Sequence, residues 1–350
     1  MQNSLSDIES PELLHHGGGL RAAAAQYDIP LSDWLDLSTG INANGWKAST
    51  MPEDIWQRLP ENDDDLTQSA QGYYNADNLL PVAGSQAAIQ ALPMLRQTCR
   101  VGVLNPGYAE HAHAWRRCGH QVKPISDQQI DQAIADLDVL VLIHPNNPTG
   151  TVFYLQQLLD WHQQLTQRGG WLVVDEAFID CTPEQSLTKY CQRPGLVVLR
   201  SLGKFFGLAG ARVGFICAQA ELLARLNVLL GPWTISSASR WLACAALNDS
   251  EWQEKNRLRL VEDSLRLQSL LSNYDLTPDG GCALFQWSRT SQATALHHQF
   301  ASLGILTRLF SQPSSLRFGV PGNQADWQRL ETALAHVTIQ TGSDRRSERQ

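Results

Sequence analysis

The chain has no C-x-x-C pair: its seven cysteines, at positions 99, 118, 181, 191, 217, 244 and 282, are scattered singly. That pattern argues against a zinc site or a disulfide framework and suits a reduced, cytoplasmic protein. No stretch approaches 18 consecutive apolar residues, so no membrane span is expected. Residues 1–11 are polar and acidic without an apolar centre and read as a loose arm rather than a secretion signal. Basic charge is also short, with 27 Lys and Arg against 35 Asp and Glu and a net charge of -8. This balance argues against a nucleic-acid binder. An anionic ligand would have to be met by locally placed arginines, lysines or helix N-termini.

What is present is enough apolar residue, 43% of 350, to bury a large core. Apolar runs at Val101–Leu104, Gln121–Ile125, Val139–Ile143, Trp171–Val174, Leu196–Leu199 and Val213–Cys217 alternate with helical patterns at 109–118 and 128–136. Such alternation predicts an α/β fold whose mostly parallel sheet is covered on both faces. The expected organisation is an N-terminal arm and substrate-binding segment at 1–45 and a large domain at 46–238. A smaller C-terminal α/β domain follows at 239–340, with a helix at 250–272 and strands near Ala283–Trp287 and Leu316–Val320. The polar end, 341–350, is expected to be disordered.

In sheets of this kind ligands bind beyond the carboxyl ends of the strands. Four successive apolar runs here end in chemistry-bearing residues: Tyr108 after the first, Asn147 in Asn147-Pro148-Thr149-Gly150, Asp175 in Asp175-Glu176-Ala177, and Ser201 with Lys204. Each has a bland reading as a turn Tyr, an Asn-Pro turn, an acidic helix start or a loop Lys. Their recurrence at four strand exits favours a common site. Gly84, Ser85 and Gln86 open a helix, where free N–H groups and a hydroxyl suit a phosphate, although Ser85 would also serve as an ordinary N-cap. His16-Gly17-Gly18-Gly19 reads either as an anion nest or as a hinge, and Asn42 follows a short strand where it could bond a ligand carboxylate.

A lysine amine can condense with an aldehyde, and a pyridine aldehyde needs a carboxylate at its ring nitrogen to act as an electron sink. Lys204 and Asp175 suit those roles, with Tyr108 against the ring face and Asn147 at the phenolic oxygen. Gly84, Ser85, Gln86, Ser201 and Arg212 would hold the phosphate, completing a pyridoxal 5'-phosphate site. The Asn147-Pro148-Thr149-Gly150, Asp175-Glu176-Ala177 and Ser201-x-x-Lys204 motifs, with Arg212 eight residues on, resemble the fold-type I, aminotransferase-like pyridoxal-phosphate enzymes over roughly residues 12 to 335. Within them the chain resembles histidinol-phosphate aminotransferases and, more closely, the threonine-phosphate decarboxylases of cobalamin biosynthesis. The second likeness rests on His16-Gly17-Gly18, Asp36 to Asn42, Pro106 to Glu110 and Asp175 to Asp180.

That resemblance implies a homodimer, a phosphorylated amino-acid substrate and decarboxylation of O-phospho-L-threonine. It also implies that Arg317 meets the substrate carboxylate. Arg308 is a candidate for the substrate phosphate together with His16, Gly17 and Gly18, or else a member of a surface salt bridge. Asn147 is expected beside both cofactor and substrate. Two positions depart from the aminotransferase pattern, Phe178 and Leu59, each standing where a tyrosine that contacts the cofactor is usual. An S-x-x-K acyl-transfer reading of Ser201 to Lys204 lacks its companion S-D-N and K-T-G motifs. His111 and His113 make a poor metal pair, because residues two apart on a helix do not face each other.

Overall fold

A computed structural model describes residues 16–347 of the chain, so the arm expected at 1–11 lies outside the described residues. After a two-residue strand β1 (Leu35–Asp36) come seven strands of one sheet: β2 (Leu79–Val82), β3 (Arg100–Leu104), β4 (Gln121–Ile125), β5 (Val139–Ile143), β6 (Trp171–Asp175), β7 (Leu196–Ser201) and β8 (Gly214–Cys217). Their spatial order is β2-β8-β7-β6-β5-β3-β4. All neighbours from β4 to β7 run parallel, whereas β8 is antiparallel to both β7 and β2. The expected α/β architecture with a mostly parallel sheet is therefore what the chain forms.

Both faces of this sheet are buried, which explains why its strands are continuous apolar runs. Along β5, Val139 and Val141 enter one core with Ile89, Trp115 and Ile216, while Leu140 and Leu142 enter the other with Leu158, Trp161 and Phe215. The helix Ala109–Arg117 crosses one face, with Glu110 in its first turn and Arg116 and Arg117 in its last, charges that complement its dipole. The stretch expected as a helix over 128–136 is helical throughout, one α-turn, Ile130–Ala133, flanked by 3-10 turns at Asp127–Gln129 and Ile134–Asp136.

A second, antiparallel sheet has the order β12-β13-β10-β9, from β9 (Gly280–Cys282), β10 (Phe285–Arg289), β12 (Arg308–Ser311) and β13 (Ser314–Gly319). The remaining strand, β11 (Ile305–Leu306), pairs with β1, and Leu35 and Leu37 join the C-terminal core around Phe300, Phe318 and Trp327. The N-terminal segment thus packs with the far end of the sequence. The helix Ser250–Ser272 is capped by Asp249, whose carboxylate accepts from Trp252 N at 3.1 Å, and it reaches from Leu260 in one core to Leu267 and Leu271 in the other. The last helix runs Gln324–Ser347 and is anchored by Trp327, Leu330 and Leu334.

Behind the end of β7 sits a buried ionic network. Arg200 donates to Glu176 Oε2 at 2.9 Å, to Ser186 Oγ at 3.0 Å and to Asp180 Oδ1, and its guanidinium lies 4.5 Å from the Tyr74 ring centroid. Glu176 also accepts from Leu187 N at 2.7 Å, and Asp180 from Tyr73 Oη at 3.0 Å. Burial pushes the Glu176 carboxyl up, and the Arg200 charge pulls it back. Removing one partner of such a cluster strands the others without compensation. Arg200→Met is expected to destabilise the fold by roughly 3–5 kcal/mol, read as a lowered thermal or denaturant midpoint. A loss below about 1 kcal/mol would mean that the cluster behaves like an exposed ion pair.

Candidate active site

The strand ends converge as the sheet rule requires. One cavity of about 150 Å³ at the carboxyl edge is lined by Ser85, Gln86, Tyr108, Asn147, Asp175, Phe178, Ser201, Lys204 and Arg212 among others. A second, of about 300 Å³, shares Tyr108, Asn147 and Lys204 with the first and adds His16, Gly17, Arg308 and Arg317. Of the residues assigned to cofactor or substrate in the sequence, Gly84, Gly18 and Asn42 line neither.

Lys204 follows β7 in a tight turn, and its Nζ donates to Thr39 O at 3.2 Å. The amine lies 5.3 Å from the Phe178 ring centroid. Burial, reinforced by the Arg317 charge, brings its pKa down from 10.5 to about 8, with Asp175 opposing. Asp175, buried at the end of β6, accepts from Ala177 N at 3.0 Å through Oδ1 and lies 3.0 Å from His111 Nε2 through Oδ2. His111 is buried and holds the carboxylate. The helix start that supplies His111 also supplies Tyr108 and Glu110.

Tyr108 Oη donates to Gln86 Oε1 at 3.3 Å, Gln86 Nε2 donates to Glu110 Oε2 at 2.6 Å, and Glu110 Oε1 lies 2.8 Å from His16 Nε2. Burial first, and then Glu110 and Asp175, push the Tyr108 hydroxyl up to about 12, so it stays neutral and serves as a donor. Gly84 has φ +71°, and a Cβ there would meet Arg212 Nη2 at 2.6 Å. A Cβ at Gly214 would meet Ser85 N at 2.5 Å. Two glycines therefore let a guanidinium and a helix start come together against the backbone, leaving Ser85, Ser201 and Arg212 around one end of the cavity. Arg212 itself holds a left-handed conformation at φ 53°.

The second cavity is walled by arginines. Arg308 and Arg317 face each other across the β12–β13 pair. Arg317 is buried, donates to Asn147 Oδ1 and Ser38 O, and has no hydrogen-bond partner at Nε. Among the described residues no carboxylate forms an ion pair with it. Burial and the neighbouring Arg308 charge bring its pKa down to about 10, the mark of a cation that lacks an anion. Gly18 N donates to Ser38 Oγ at 2.8 Å, and Ser38 Oγ in turn donates to Asp36 Oδ1 at 2.6 Å, which fixes the glycine segment beside this wall.

Asn42, Leu59 and Phe178 stand in different places relative to the cavities. Asn42 does not line the cavities: its buried amide bonds Phe205 O, Asn256 and Arg259 instead. Leu59 is exposed, 63% accessible, and stands apart from both cavities. Phe178 does line the cavity, where it packs edge-on to Phe285 at 5.1 Å and supplies an apolar wall in place of a hydroxyl. Sequence reading missed Glu110 as the link between His16 and Gln86, and it missed His111 as the partner of Asp175. A buried carboxylate at a strand end needs a charged or donating partner, but nothing local says which residue supplies it.

This donor set suits pyridoxal phosphate. It combines a nucleophilic amine of depressed basicity, a buried carboxylate for the ring nitrogen, an aromatic face at Tyr108, an amide at Asn147 and a glycine-cleared pocket with Ser85, Ser201 and Arg212 for a phosphate. Fold and cavity together define an aminotransferase-like enzyme of fold type I. The chain belongs to the aminotransferase class I and II family, whose model matches residues 32–334. It is similar to a threonine-phosphate decarboxylase of Pseudomonas aeruginosa, with 54% identity over 92% of this chain and 97% of that one. A threonine-phosphate decarboxylase from Sinorhizobium sp is 36% identical over 93% of this chain and 98% of its own. In solved structures the fold matches the histidinol-phosphate aminotransferase of Sinorhizobium meliloti in complex with pyridoxal-5'-phosphate, with a TM-score of 0.79 and 19% identity, covering 97% of this chain and 100% of that one.

Two outcomes follow from this geometry. Only the neutral amine of Lys204 attacks an aldehyde, so capture of added pyridoxal phosphate by the cofactor-free protein should accelerate with pH and level off above about 8. Stopped-flow absorbance across pH 6–10 checks this, and a midpoint near the ordinary lysine value would contradict it. Gly84→Ala should leave the fold intact but weaken cofactor binding by about 5- to 150-fold, the equivalent of roughly 1–3 kcal/mol of backbone strain. Equilibrium titration of the cofactor measures it.

Proposed function

We propose that the protein is a pyridoxal-phosphate-dependent decarboxylase that converts O-phospho-L-threonine to (R)-1-amino-2-propanol O-2-phosphate, a step of cobalamin biosynthesis. The observation that carries this reading is the pair of arginines, Arg308 and Arg317, facing each other on the wall of a cavity that Lys204 shares. A substrate with two anionic groups, a carboxylate and a phosphate, answers such a pair, and guanidinium forks bind either group in bidentate fashion. The 54% identity to a threonine-phosphate decarboxylase over almost its whole length supports the same substrate.

The bound cofactor would supply an electron sink for the pair released as the carbon–carboxylate bond breaks. Asp175, held by His111, would keep the ring nitrogen protonated, with Tyr108 on the ring face and Asn147 at its phenolic oxygen. Gly84, Ser85, Gln86, Ser201 and Arg212 would hold its phosphate. Arg317 would grip the substrate carboxylate, and Arg308 with His16, Gly17 and Gly18 would hold the substrate phosphate. Gripping both ends of the substrate fixes which bond at its α-carbon stands perpendicular to the ring, and that orientation chooses decarboxylation over removal of the α-proton. Lys204 Nζ, with a pKa near 8, can return a proton to the same carbon at neutral pH. Phe178 packs the lysine's surroundings without offering a hydroxyl.

A homodimer belongs to this proposal, and exposed Trp56 and Leu59 are the kind of side chains that a subunit contact would cover. No helix among the described residues is long and apolar enough to cross a membrane. Seven free cysteines fit the cytoplasm as the working compartment.

The decisive test incubates cofactor-loaded protein with O-phospho-L-threonine in the absence of any keto acid. Carbon dioxide and aminopropanol phosphate should appear over many turnovers. Amino transfer from histidinol phosphate to 2-oxoglutarate, with no carbon dioxide from the first substrate, would replace this reading with that of an aminotransferase.

A further inference from the structure

Asn42 lies outside both cavities, yet it hydrogen-bonds the backbone of the lysine turn. Its backbone N–H donates to Lys204 O at 3.0 Å, and its side-chain Nδ2 donates to the next carbonyl, Phe205 O, at 2.9 Å. Four residues on, Trp46 N donates to Phe206 O at 2.8 Å. Three residues back, Thr39 O accepts from Lys204 Nζ. One loop segment, 39–46, therefore contacts the lysine at its amine and three consecutive carbonyls of its turn. The fit is close: Gly207 holds φ +70°, and a Cβ there would meet Gly45 Cα at 2.6 Å and Asn42 O at 2.8 Å.

The Asn42 amide is itself held. Its Oδ1 accepts from Arg259 Nη2 at 3.0 Å and from Asn44 N at 3.0 Å, and its Nδ2 lies 3.1 Å from Asn256 Oδ1. Asn256 also receives Arg259 and donates to Phe205 O at 3.4 Å. Arg259 and Asn256 sit one turn apart on the helix Ser250–Ser272, which runs from the large core into the C-terminal one. Asn42 and Asn256 are both buried, so each of these bonds carries the cost of being left unmade.

We propose that Asn42, oriented by Arg259 and Asn256, is a positioning residue that fixes the backbone of the Lys204 turn and so sets where the ε-amine stands. The amide is required as such. It must donate to Phe205 O and accept from Arg259 at once, which neither alanine nor aspartate can do. Aspartate keeps the acceptor for Arg259 but turns a donor into a negative oxygen facing Phe205 O and Asn44 O. This proposal rests on Lys204 being the cofactor-binding lysine and is independent of which substrate is used.

The test compares Asn42→Asp and Asn42→Ala with the unaltered full-length protein, at a temperature where circular dichroism shows each fully folded. Capture of pyridoxal phosphate should slow by about tenfold or more in both variants, since misplacing a reacting group by about 1 Å costs up to about 100-fold. Turnover of O-phospho-L-threonine should lose kcat with KM changed little. The pH midpoint of capture, set in the unaltered protein by burial together with Arg317, Asp175, Arg212 and Cys282, should move upward as the amine is less confined. Arg259→Gln, which leaves Asn42 in place but removes one of the two donors to its carbonyl oxygen, should slow capture to a smaller degree; it keeps the test open if the Asn42 variants fail to fold. Unchanged capture rate and midpoint in a folded Asn42→Asp or Arg259→Gln protein would overturn the proposal and leave Asn42 a purely structural residue. Normal capture behaviour in the variants alongside absent carbon dioxide release in the unaltered protein would count against this proposal and the decarboxylase reading separately.

Discussion

Two cationic side chains, the half-buried Lys204 and the buried Arg317, line one cavity, and among the described residues no carboxylate is bonded to either; this imbalance governs the site. Burial in a medium less polar than water disfavours charge; the Arg317 charge further depresses Lys204, and the Arg308 charge further depresses Arg317, so both lose basicity. A cavity in that condition is preorganised for anions and for an electrophile. It holds its charge before any ligand arrives, so little reorganisation is left for the moment of reaction. The rest of the fold stabilises this arrangement from outside the cavity.

It does so by engaging the nearby carboxylates elsewhere. Asp175 is bonded to His111 and to the Ala177 amide, Glu176 and Asp180 are taken up by Arg200, and Glu110 is shared between His16 and Gln86. Four acids lie within a few residues of the strand ends, and each has a partner that keeps it from collapsing onto Lys204 or Arg317. Asp175 alone among them lines the cavity. Segregation of charge, rather than the presence of charge, makes the cavity selective.

Much of this was legible before the structure. Apolar runs ending in Tyr108, Asn147, Asp175 and Lys204 mark strand exits because a parallel sheet buried on both faces leaves its polar chemistry at the carboxyl edge. The partners of those residues were not legible. His111 is 64 positions from Asp175, and Asn256 is 214 positions from Asn42. A side chain's local sequence says that it needs a hydrogen bond but not who supplies it, so Asn42 reads equally well as a ligand group or as a brace. Amphipathic spacing marks which face packs, while the length of a helix depends on whether the neighbouring core keeps offering that face a partner.

By itself the sequence determined the class of fold, the strand ends that carry chemistry and the lysine around which the site is built, because period and punctuation are local properties that follow from backbone geometry and solvent exclusion. Only the tertiary structure decided that Arg308 and Arg317 stand side by side, that His111 backs Asp175, and that Asn42 holds the lysine turn from behind. Each of those is a contact between segments far apart in the chain. Such contacts exist only once the β-strands have taken their order and the C-terminal helix has docked, and it is they, through burial and hydrogen-bond direction, that give identical side chains different roles.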